Sequence, residues 1–174
     1  IGTGAIGSLL AEGLAYRAGK EVVCVVASEA HAASIRKNGI KVRHSNGEYS
    51  GIKTEKSLEI KAVTETADEA AADIVFIAVK STMTEAAVKQ HRSFFKAETI
   101  AVSLQNGYGN AEAIKKIVFP ESVIIGTTAQ AAYIDEDGTV IHAGKGATVL
   151  GAAISGSRKG REAAEKVAEL LKEG

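Results

Sequence analysis

The chain of 174 residues is poor in cysteine, proline and methionine, with one of each. A single cysteine cannot form an internal disulfide, and Cys24 lies among valines, so we expect a buried thiol in a reducing, cytoplasmic compartment. The four histidines are scattered, and their spacing to each other and to Cys24 matches no metal-ligand pattern. The sequence therefore predicts no metal site.

Net charge and long apolar runs are also missing. Lys and Arg total 21, as do Asp and Glu, so no overall field attracts nucleic acid or a membrane surface. No window reaches the ~18 apolar residues of a membrane span. Neither a G-x-S-x-G nucleophile elbow nor a Walker-type phosphate loop is present. These absences argue against nucleic-acid, membrane, hydrolase and nucleotidase functions.

The chain does contain a G-x-G-x-x-G pattern within its first seven residues. In a dinucleotide-binding unit, Gly2 makes the tight turn, Gly4 lets the backbone approach a pyrophosphate, and Gly7 lets the helix press on the sheet. The following helix offers free N–H groups to the phosphates. The candidate cofactor-binding residues of this turn are Gly2, Thr3, Gly4, Ala5, Ile6 and Gly7.

The surrounding pattern gives this common motif its weight. Apolar residues recur at helical spacing from Ile6 to Leu14, and a β-branched apolar run at 21–27 predicts a buried parallel strand. Ser28 then caps a helix that ends at Asn38-Gly39. Only Ile1 precedes the first glycine, so we expect most of the first strand to be missing from the chain.

The remaining pattern predicts a Rossmann-type, doubly wound α/β domain over residues 1–174. Its mostly parallel sheet carries an antiparallel addition near the C-terminal part. Asn46-Gly47 is typical of a hairpin whose return strand covers 49–53. Further strands are predicted at 73–80, 99–104, 122–133, 139–142 and 147–150, and helices at 82–95, 111–118 and around 164–171.

Polar residues follow three of the predicted strands, at Thr3, Lys80 and Asn106. Ligands of open α/β sheets lie beyond the carboxyl ends of the strands, so we expect all three on one crevice. Lys80 is either a donor to ribose, phosphate or carbonyl, or an exposed lysine that ends a strand. Asn106 is either a contact to substrate or nicotinamide, or part of a turn.

The end of the second strand reads the adenosine ribose in such folds. It carries neither the Asp that favours NAD nor the Arg that favours NADP. Ser28 can donate to a phosphate, with Arg36 and Lys37 further along the helix, whereas Glu29 points toward NAD. On these residues we favour NADP as cofactor and keep NAD as the alternative.

Read as a whole, the sequence resembles the nucleotide-binding half of the ketopantoate reductases (2-dehydropantoate 2-reductases). The resemblance spans nearly the whole chain in order. It rests on the glycine turn, Ala30-His31-Ala32 with Ile35 and Asn38-Gly39, the strand into Lys80, Leu104-Gln105-Asn106-Gly107, Gly126-Thr127-Thr128, and Val140-Ile141-His142 with Gly144 and Gly146.

The resemblance implies NADPH-dependent reduction of a 2-keto acid, ketopantoate, to pantoate on the route to pantothenate and coenzyme A. It implies cofactor contacts by the glycine turn, Lys80, Asn106 and Ala132, with Asn106 also near substrate. It further implies a helical second domain beyond this chain that holds the general-acid lysine and other substrate-binding groups. No residue of this chain is therefore expected to be the catalytic acid.

Two departures from the family pattern stand out: the Arg usual after the second strand is replaced by Ala27 or Ser28, and a common His by Gln130. Two other functions stay open. One is an NAD(P)-dependent oxidoreductase acting on a different small keto or hydroxy acid. The other is a non-catalytic nucleotide-binding module, if the gene ends near Gly174. The oligomeric state is not fixed by the sequence, and a homodimer is one of the states left open.

Overall fold

A computed structural model describes residues 1–47, 49–50 and 60–173. The chain divides into two compact units. Unit one comprises Ile1, Glu65–Thr128 and Thr148–Ala168, and unit two comprises Gly2–Thr64, Ala129–Ala147 and the chain from Glu169. Both units fall inside the predicted domain over residues 1–174, whose limits stay a prediction.

Unit one is built on a four-stranded sheet with helices from the same segment of chain. Its strands are β5 Ile74–Ile77, β6 Ile100–Ser103, β7 Val123–Thr128 and β10 Thr148–Ala152. Their order in the sheet is β10-β7-β6-β5, in which β5, β6 and β7 are parallel and β10 is antiparallel to β7. The helices of this unit are α3 Thr84–Gln90, α4 Asn110–Lys115 and α5 Arg158–Glu173, of which the part to Ala168 lies here.

Ile1 extends the edge of this sheet. Its amino group donates to the Phe76 carbonyl at 2.7 Å, and its carbonyl accepts from the Ala78 N–H at 2.8 Å. These two bonds flank Ile77 in the manner of a parallel ladder. The predicted strands 73–80 and 99–104 are confirmed, and every residue of β6 is buried.

The helix predicted at 82–95 is shorter than expected. The α-helical part is α3, between 3₁₀ turns at Ser81–Met83 and Arg92–Phe94. His91 ends α3 with φ −102° and ψ 33°, outside the helical region. The apolar period alone could not mark this end, since Phe94 is buried in the turn that follows. In α5, Ala164 and Val167 are buried on the predicted face.

Unit two combines parallel and antiparallel pairs around one apolar cluster. The elements of this unit are α1 Ala5–Glu12 continued by a π-helical segment Gly13–Arg17, β1 Val22–Val25, α2 Glu29–Asn38, β2 Val42–His44, β3 Tyr49–Ser50, β4 Ile60–Val63, β8 Ala131–Ile134 and β9 Val140–Gly144. Strands β1 and β4 form a parallel pair, and a second sheet has the order β3-β2-β9-β8.

The helix boundaries of unit two agree with the sequence signals. Ser28 caps α2, with its Oγ accepting from the His31 N–H at 3.3 Å. Gly39 follows the helix with φ +72°, a conformation that favours glycine. The Asn46-Gly47 hairpin is confirmed by antiparallel pairing of β2 with β3, and the predicted residues 51–53 of the return strand lie outside the described residues.

The single strand predicted at 122–133 is wrong, because the structure contains two. β7 pairs with β6 and β10, whereas β8 pairs with β9. Between them, the Ala129 N–H donates to the Ala147 carbonyl at 2.9 Å. The residues around the break are small or weakly polar and carry no Pro or Asn-Gly signal, so the sequence pattern runs through it.

The α/β class is confirmed, with parallel pairs in both units. The antiparallel addition is confirmed at β8, β9 and β10, toward the C-terminal part. Among the described residues, no helix combines the length and apolar content that crossing a membrane requires.

Candidate functional site

The glycine turn of unit two is tied to the carboxyl end of β1. The N–H groups of Gly2 and Thr3 both donate to the Val25 carbonyl, at 3.1 and 3.3 Å. Gly2 has φ +88°, which a residue with a side chain rarely adopts, so the first glycine is required by the backbone. The turn thus stands at the place where β1 ends.

Thr3 serves the turn with its side chain. The side chain is buried, and its hydroxyl donates to the Val25 carbonyl at 3.1 Å. Only the backbone of Thr3 is left to meet a ligand. The predicted cofactor contact of this residue stays a prediction, and it concerns the peptide group and not the hydroxyl.

Gly4 opens helix α1 without a capping side chain. It is the N-cap residue, and an added Cβ would meet no atom within 4 Å among the described residues. The next three residues, Ala5, Ile6 and Gly7, form the first turn, whose N–H groups are the free donors of a helix N-terminus. An open surface above an uncapped helix start fits a diphosphate group.

Ser28 and its neighbours form the end of β1 that the sequence assigns to the ribose. Ser28 is exposed, and its hydroxyl keeps a proton to donate while its oxygen serves the α2 cap. Glu29 is ion-paired with Arg36, whose guanidinium also donates to the Ala62 carbonyl at 2.7 Å. The charge of the Glu29 carboxylate, the residue that favours NAD over NADP, is thus partly neutralised within its own helix.

Ala132 lies in β8, opposite His142 of β9. Its half-buried methyl group packs against the apolar cluster of unit two. His142 is buried, its Nδ1 lies 3.1 Å from the Nδ1 of His44, and its Nε2 lies 2.7 Å from Oε1 of Gln130. Burial, followed by the charge of His44, lowers the pKa of His142.

The orientation of these polar groups follows from the Gln130 amide. Its Nε2 donates to the Gly146 carbonyl at 2.7 Å, which leaves its oxygen to accept from Nε2–H of His142. The Nδ1 of His142 faces the Nδ1 of His44, and the direction of that hydrogen bond depends on the tautomers of the two rings. Gln130, the residue that departs from the family pattern, is therefore integrated into a hydrogen-bonded strand pair.

Unit one presents Lys80 at the end of β5. Lys80 is exposed, and its ammonium group has neither a hydrogen bond nor an ion pair with the part of the chain that the structure describes. The preceding carbonyl, of Val79, accepts from the Gln105 side chain at 2.7 Å. The backbone is held while the cation is left accessible to a ligand.

Asn106 is exposed in the loop that follows β6. Gly107 and Gly109, on either side of Tyr108, have φ +94° and +87°, values that favour glycine. The Tyr108 side chain is fully exposed. The carbonyl of Asn106 accepts from Asn110 Nδ2 at 3.3 Å, which leaves the Asn106 amide on the surface.

A set of buried polar side chains behind Lys80 and Asn106 was missed by sequence reasoning. Ser103, Thr84 and Asn110 are 2%, 1% and 6% exposed, and all three hydrogen-bond within a chain that includes Gln105. Their position in the sequence could have indicated this role, since Thr84 and Asn110 begin the helices that follow β5 and β6. Buried polar groups at such places need partners.

Metal and thiol chemistry receive no support from the described residues. Over residues 1–47, 49–50 and 60–173, no group of three or more His, Cys, Asp or Glu side chains could hold a metal ion. Cys24 is buried, and burial raises the pKa of its thiol to about 11. A thiol with so high a pKa is a poor nucleophile at neutral pH.

The fold and the glycine turn define the class of Rossmann-type α/β domains, in which such a turn holds the pyrophosphate of a dinucleotide. The sequence model of the family described as ketopantoate reductase PanE/ApbA matches residues 1–154. The chain belongs to this family. The family is NAD(P)-dependent.

Two relatives and one solved structure illustrate the match. The chain is 33% identical over 171 residues to a 2-dehydropantoate 2-reductase of Pyrococcus abyssi, covering 98% of this chain and 51% of the relative. It is 33% identical over 173 residues to that of Archaeoglobus fulgidus, covering 99% and 52%. A ternary structure of D-mandelate dehydrogenase with NADH and anilino(oxo)acetate aligns with TM-score 0.84 and 26% identity, covering 99% and 52%.

The chain thus spans about half the length of the relatives it matches. The relatives are oxidoreductases, and the predicted family resemblance is confirmed. The individual contacts predicted for Ser28, Lys80, Asn106 and Ala132 stay predictions. That the three polar strand ends share one crevice also stays a prediction.

Proposed function

We propose that this chain is the cofactor-binding part of an NADPH-dependent reductase that converts 2-dehydropantoate to pantoate. The observation that carries the cofactor assignment is the uncapped start of α1 at Gly4, with open space where a Cβ would lie. The substrate assignment rests on the relatives, which are named 2-dehydropantoate 2-reductases at 31–33% identity.

Unit two would take the phosphates and the adenosine ribose. The first-turn N–H groups of α1 donate to the pyrophosphate, and the absence of a side chain at Gly4 allows the close approach. The Ser28 hydroxyl would donate to a 2′-phosphate. Supporting this assignment, the Glu29 carboxylate is already paired with Arg36 and repels a phosphate less than a free carboxylate would.

Unit one would supply donors at the reacting end. A bound nicotinamide would supply the hydride to the ketone carbon. The Asn106 amide would hydrogen-bond and orient the 2-keto acid, and the Lys80 ammonium would donate to ribose or to the substrate's oxygens. Protonation of the alkoxide would come from a lysine outside residues 1–174, as the family resemblance implies.

The substitution Asn106→Ala in the complete protein tests the role of unit one. We expect turnover of 2-dehydropantoate to fall about 100-fold, in the range for a lost orienting group, while NADPH affinity changes far less. Asn38→Ala, at the exposed C-terminal end of α2, is the matched control and should keep wild-type turnover. Wild-type turnover in Asn106→Ala would refute the assignment.

The cofactor preference is tested by fluorescence titration with NADPH and NADH. We expect tighter binding of NADPH, with the preference reduced in Ser28→Ala. A clear preference for NADH would contradict the proposal and would implicate Glu29, which Glu29→Gln would then check. The NADH in the D-mandelate dehydrogenase structure makes this comparison necessary.

A second candidate function is oxidation or reduction of a different 2-hydroxy or 2-keto acid. The specific observation in its favour is the 26% identity and TM-score of 0.84 to D-mandelate dehydrogenase. A panel of 2-keto acids that includes 2-dehydropantoate and phenylglyoxylate separates the two. A higher kcat/KM for an aromatic 2-keto acid would favour the second candidate.

A cytoplasmic location and a homodimer remain predictions. The buried, reduced Cys24 is consistent with a reducing compartment. Light scattering of the complete protein measures the assembly directly.

A further inference from the structure

Four side chains of unit one form a continuous hydrogen-bonded chain behind the two polar strand ends. We call Ser103, Gln105, Thr84 and Asn110 the polar chain. Ser103 Oγ donates to Gln105 Oε1 at 2.9 Å, and Gln105 Nε2 donates to Thr84 Oγ1 at 2.8 Å. Thr84 Oγ1 then donates to Asn110 Oδ1 at 2.9 Å.

Two members of the polar chain, Gln105 and Asn110, also bind backbone carbonyls next to the candidate ligand contacts. Gln105 Nε2 also donates to the carbonyl of Val79, the residue before Lys80, at 2.7 Å. Asn110 Nδ2 donates to the carbonyls of Asn106 and Gly107, each at 3.3 Å. The turn after β5 and the turn after β6 are therefore joined through side chains.

The direction of the polar chain is fixed by chemistry. Carbonyls only accept, so the amide nitrogens of Gln105 and Asn110 must face them, and their oxygens must face the hydroxyls. The Thr84 hydroxyl accepts from one amide and donates to the other, which no apolar side chain of that shape can do. With both protons of each amide used, the polar chain has one satisfied arrangement.

We propose that the polar chain positions Lys80 and Asn106, with Thr84 as its central link. By holding the peptide groups beside both residues, it keeps the ammonium and the amide directed to solvent in one fixed geometry. The inference rests on the proposed function, in which Lys80 and Asn106 contact cofactor and substrate. Thr84 and Asn110 are positioning residues, since neither is exposed to a ligand.

The central test compares Thr84→Val with Thr84→Ser in the complete protein. Valine keeps the shape and removes the hydroxyl, so the Gln105 and Asn110 amides lose their shared partner, whereas serine keeps it. We expect kcat and kcat/KM for 2-dehydropantoate to fall together about 10- to 100-fold in Thr84→Val, with KM nearly unchanged. Thr84→Ser should restore most of the rate.

A second readout does not depend on the reaction. Amide hydrogen exchange of Met83, Gln105 and Ala113, whose N–H groups donate to the Lys80 carbonyl, Ser103 Oγ and the Gly109 carbonyl, should be at least about tenfold faster in Thr84→Val than in wild type, and unchanged in Thr84→Ser. If Thr84→Val does not fold, Asn110→Asp replaces it. This variant keeps the side-chain size but turns an oxygen toward the Asn106 and Gly107 carbonyls, and the same two effects are expected.

The outcomes separate this inference from the proposed function. A wild-type protein that does not reduce 2-dehydropantoate refutes the proposed function, and the exchange rates alone then confirm or overturn the positioning role. Wild-type turnover in folded Thr84→Val overturns the inference, whatever the exchange rates show. Unchanged exchange in both Thr84→Val and Asn110→Asp overturns it as well.

Discussion

Replacing Gly4 by alanine should abolish tight cofactor binding and leave the fold intact. Gly4 has φ −83° and ψ −163°, which alanine can adopt, and an added Cβ meets no described atom within 4 Å. Alanine should add about 0.4–1 kcal/mol to the free energy of unfolding by restricting the unfolded chain, and should lower it by a similar amount because alanine is a poorer N-cap than glycine. The melting temperature should therefore stay within about 4 °C of wild type.

The loss of binding follows from the length of the added bond. A methyl group would extend about 1.5 Å from Cα, into the space where the proposed pyrophosphate would accept from N–H groups at about 2.9 Å. Losing one hydrogen bond to a charged group costs about 1.5–3 kcal/mol, which corresponds to a Kd about ten to 150 times higher.

The assay is a fluorescence titration with NADPH on wild type, Gly4→Ala and a control. Gly151→Ala is the matched control, because a Cβ there also meets no described atom within 4 Å and the residue lies in β10 of unit one. It should bind NADPH as wild type does. If folded Gly4→Ala binds within about twofold of wild type, the pyrophosphate does not lie on this turn and the reasoning fails.

Three further predictions concern stability. Gly126→Ala should lower the free energy of unfolding by about 1–3 kcal/mol in urea, since the Cβ would lie 2.4 Å from the Val149 carbonyl oxygen; an unchanged midpoint would contradict the packing. Glu12→Met should raise the free energy of unfolding by about 1 kcal/mol, because among the described residues only Arg17, at 3.2 Å, pairs with the fully buried Glu12 carboxylate. The Arg17 side chain is exposed enough to be hydrated without this partner. A lower urea midpoint in Glu12→Met would contradict this prediction. The pKa of His142 is lowered from 6.5, mainly by burial, so the unfolded chain binds the proton more tightly than the folded chain does. The free energy of unfolding should therefore fall as the pH drops below about 6.5, and it should fall less steeply in His142→Gln. Equal urea midpoints at pH 7.5 and 5.5 would refute this prediction.

Much of the fold could be predicted because apolar runs and caps are local signals. The run at 73–80 predicted β5, and Ser28 with Asn38-Gly39 predicted both ends of α2. The break between β7 and β8 could not be predicted, since it results from partners distant in sequence. β7 pairs with β10 and β8 pairs with β9, and no residue between them announces the change.

The candidate site divides in the same way. The residues proposed to meet a ligand directly, such as Gly4, Lys80 and Asn106, stand at strand ends and could be proposed from their position. The residues that hold these side chains in place could not be proposed in that way. Thr84 and Asn110 are ordinary helix-start residues in the sequence, and only the structure shows that one hydroxyl satisfies two amides 26 and 21 residues away.

The surroundings of the glycines distinguish the glycine turn from other glycine positions, which the sequence motif alone could not do. With 18 glycines in the chain, a G-x-G-x-x-G match carries little weight. A Cβ at Gly126 would strike a backbone oxygen at 2.4 Å, and one at Gly146 would strike Ala129 at 2.5 Å, so these positions are glycine because the protein itself fills the space. At Gly4 the described protein leaves the space open, with uncapped N–H groups beside it. Packing within the chain does not require glycine there, and the loss of NADPH affinity in Gly4→Ala measures how far a ligand that approaches the backbone does.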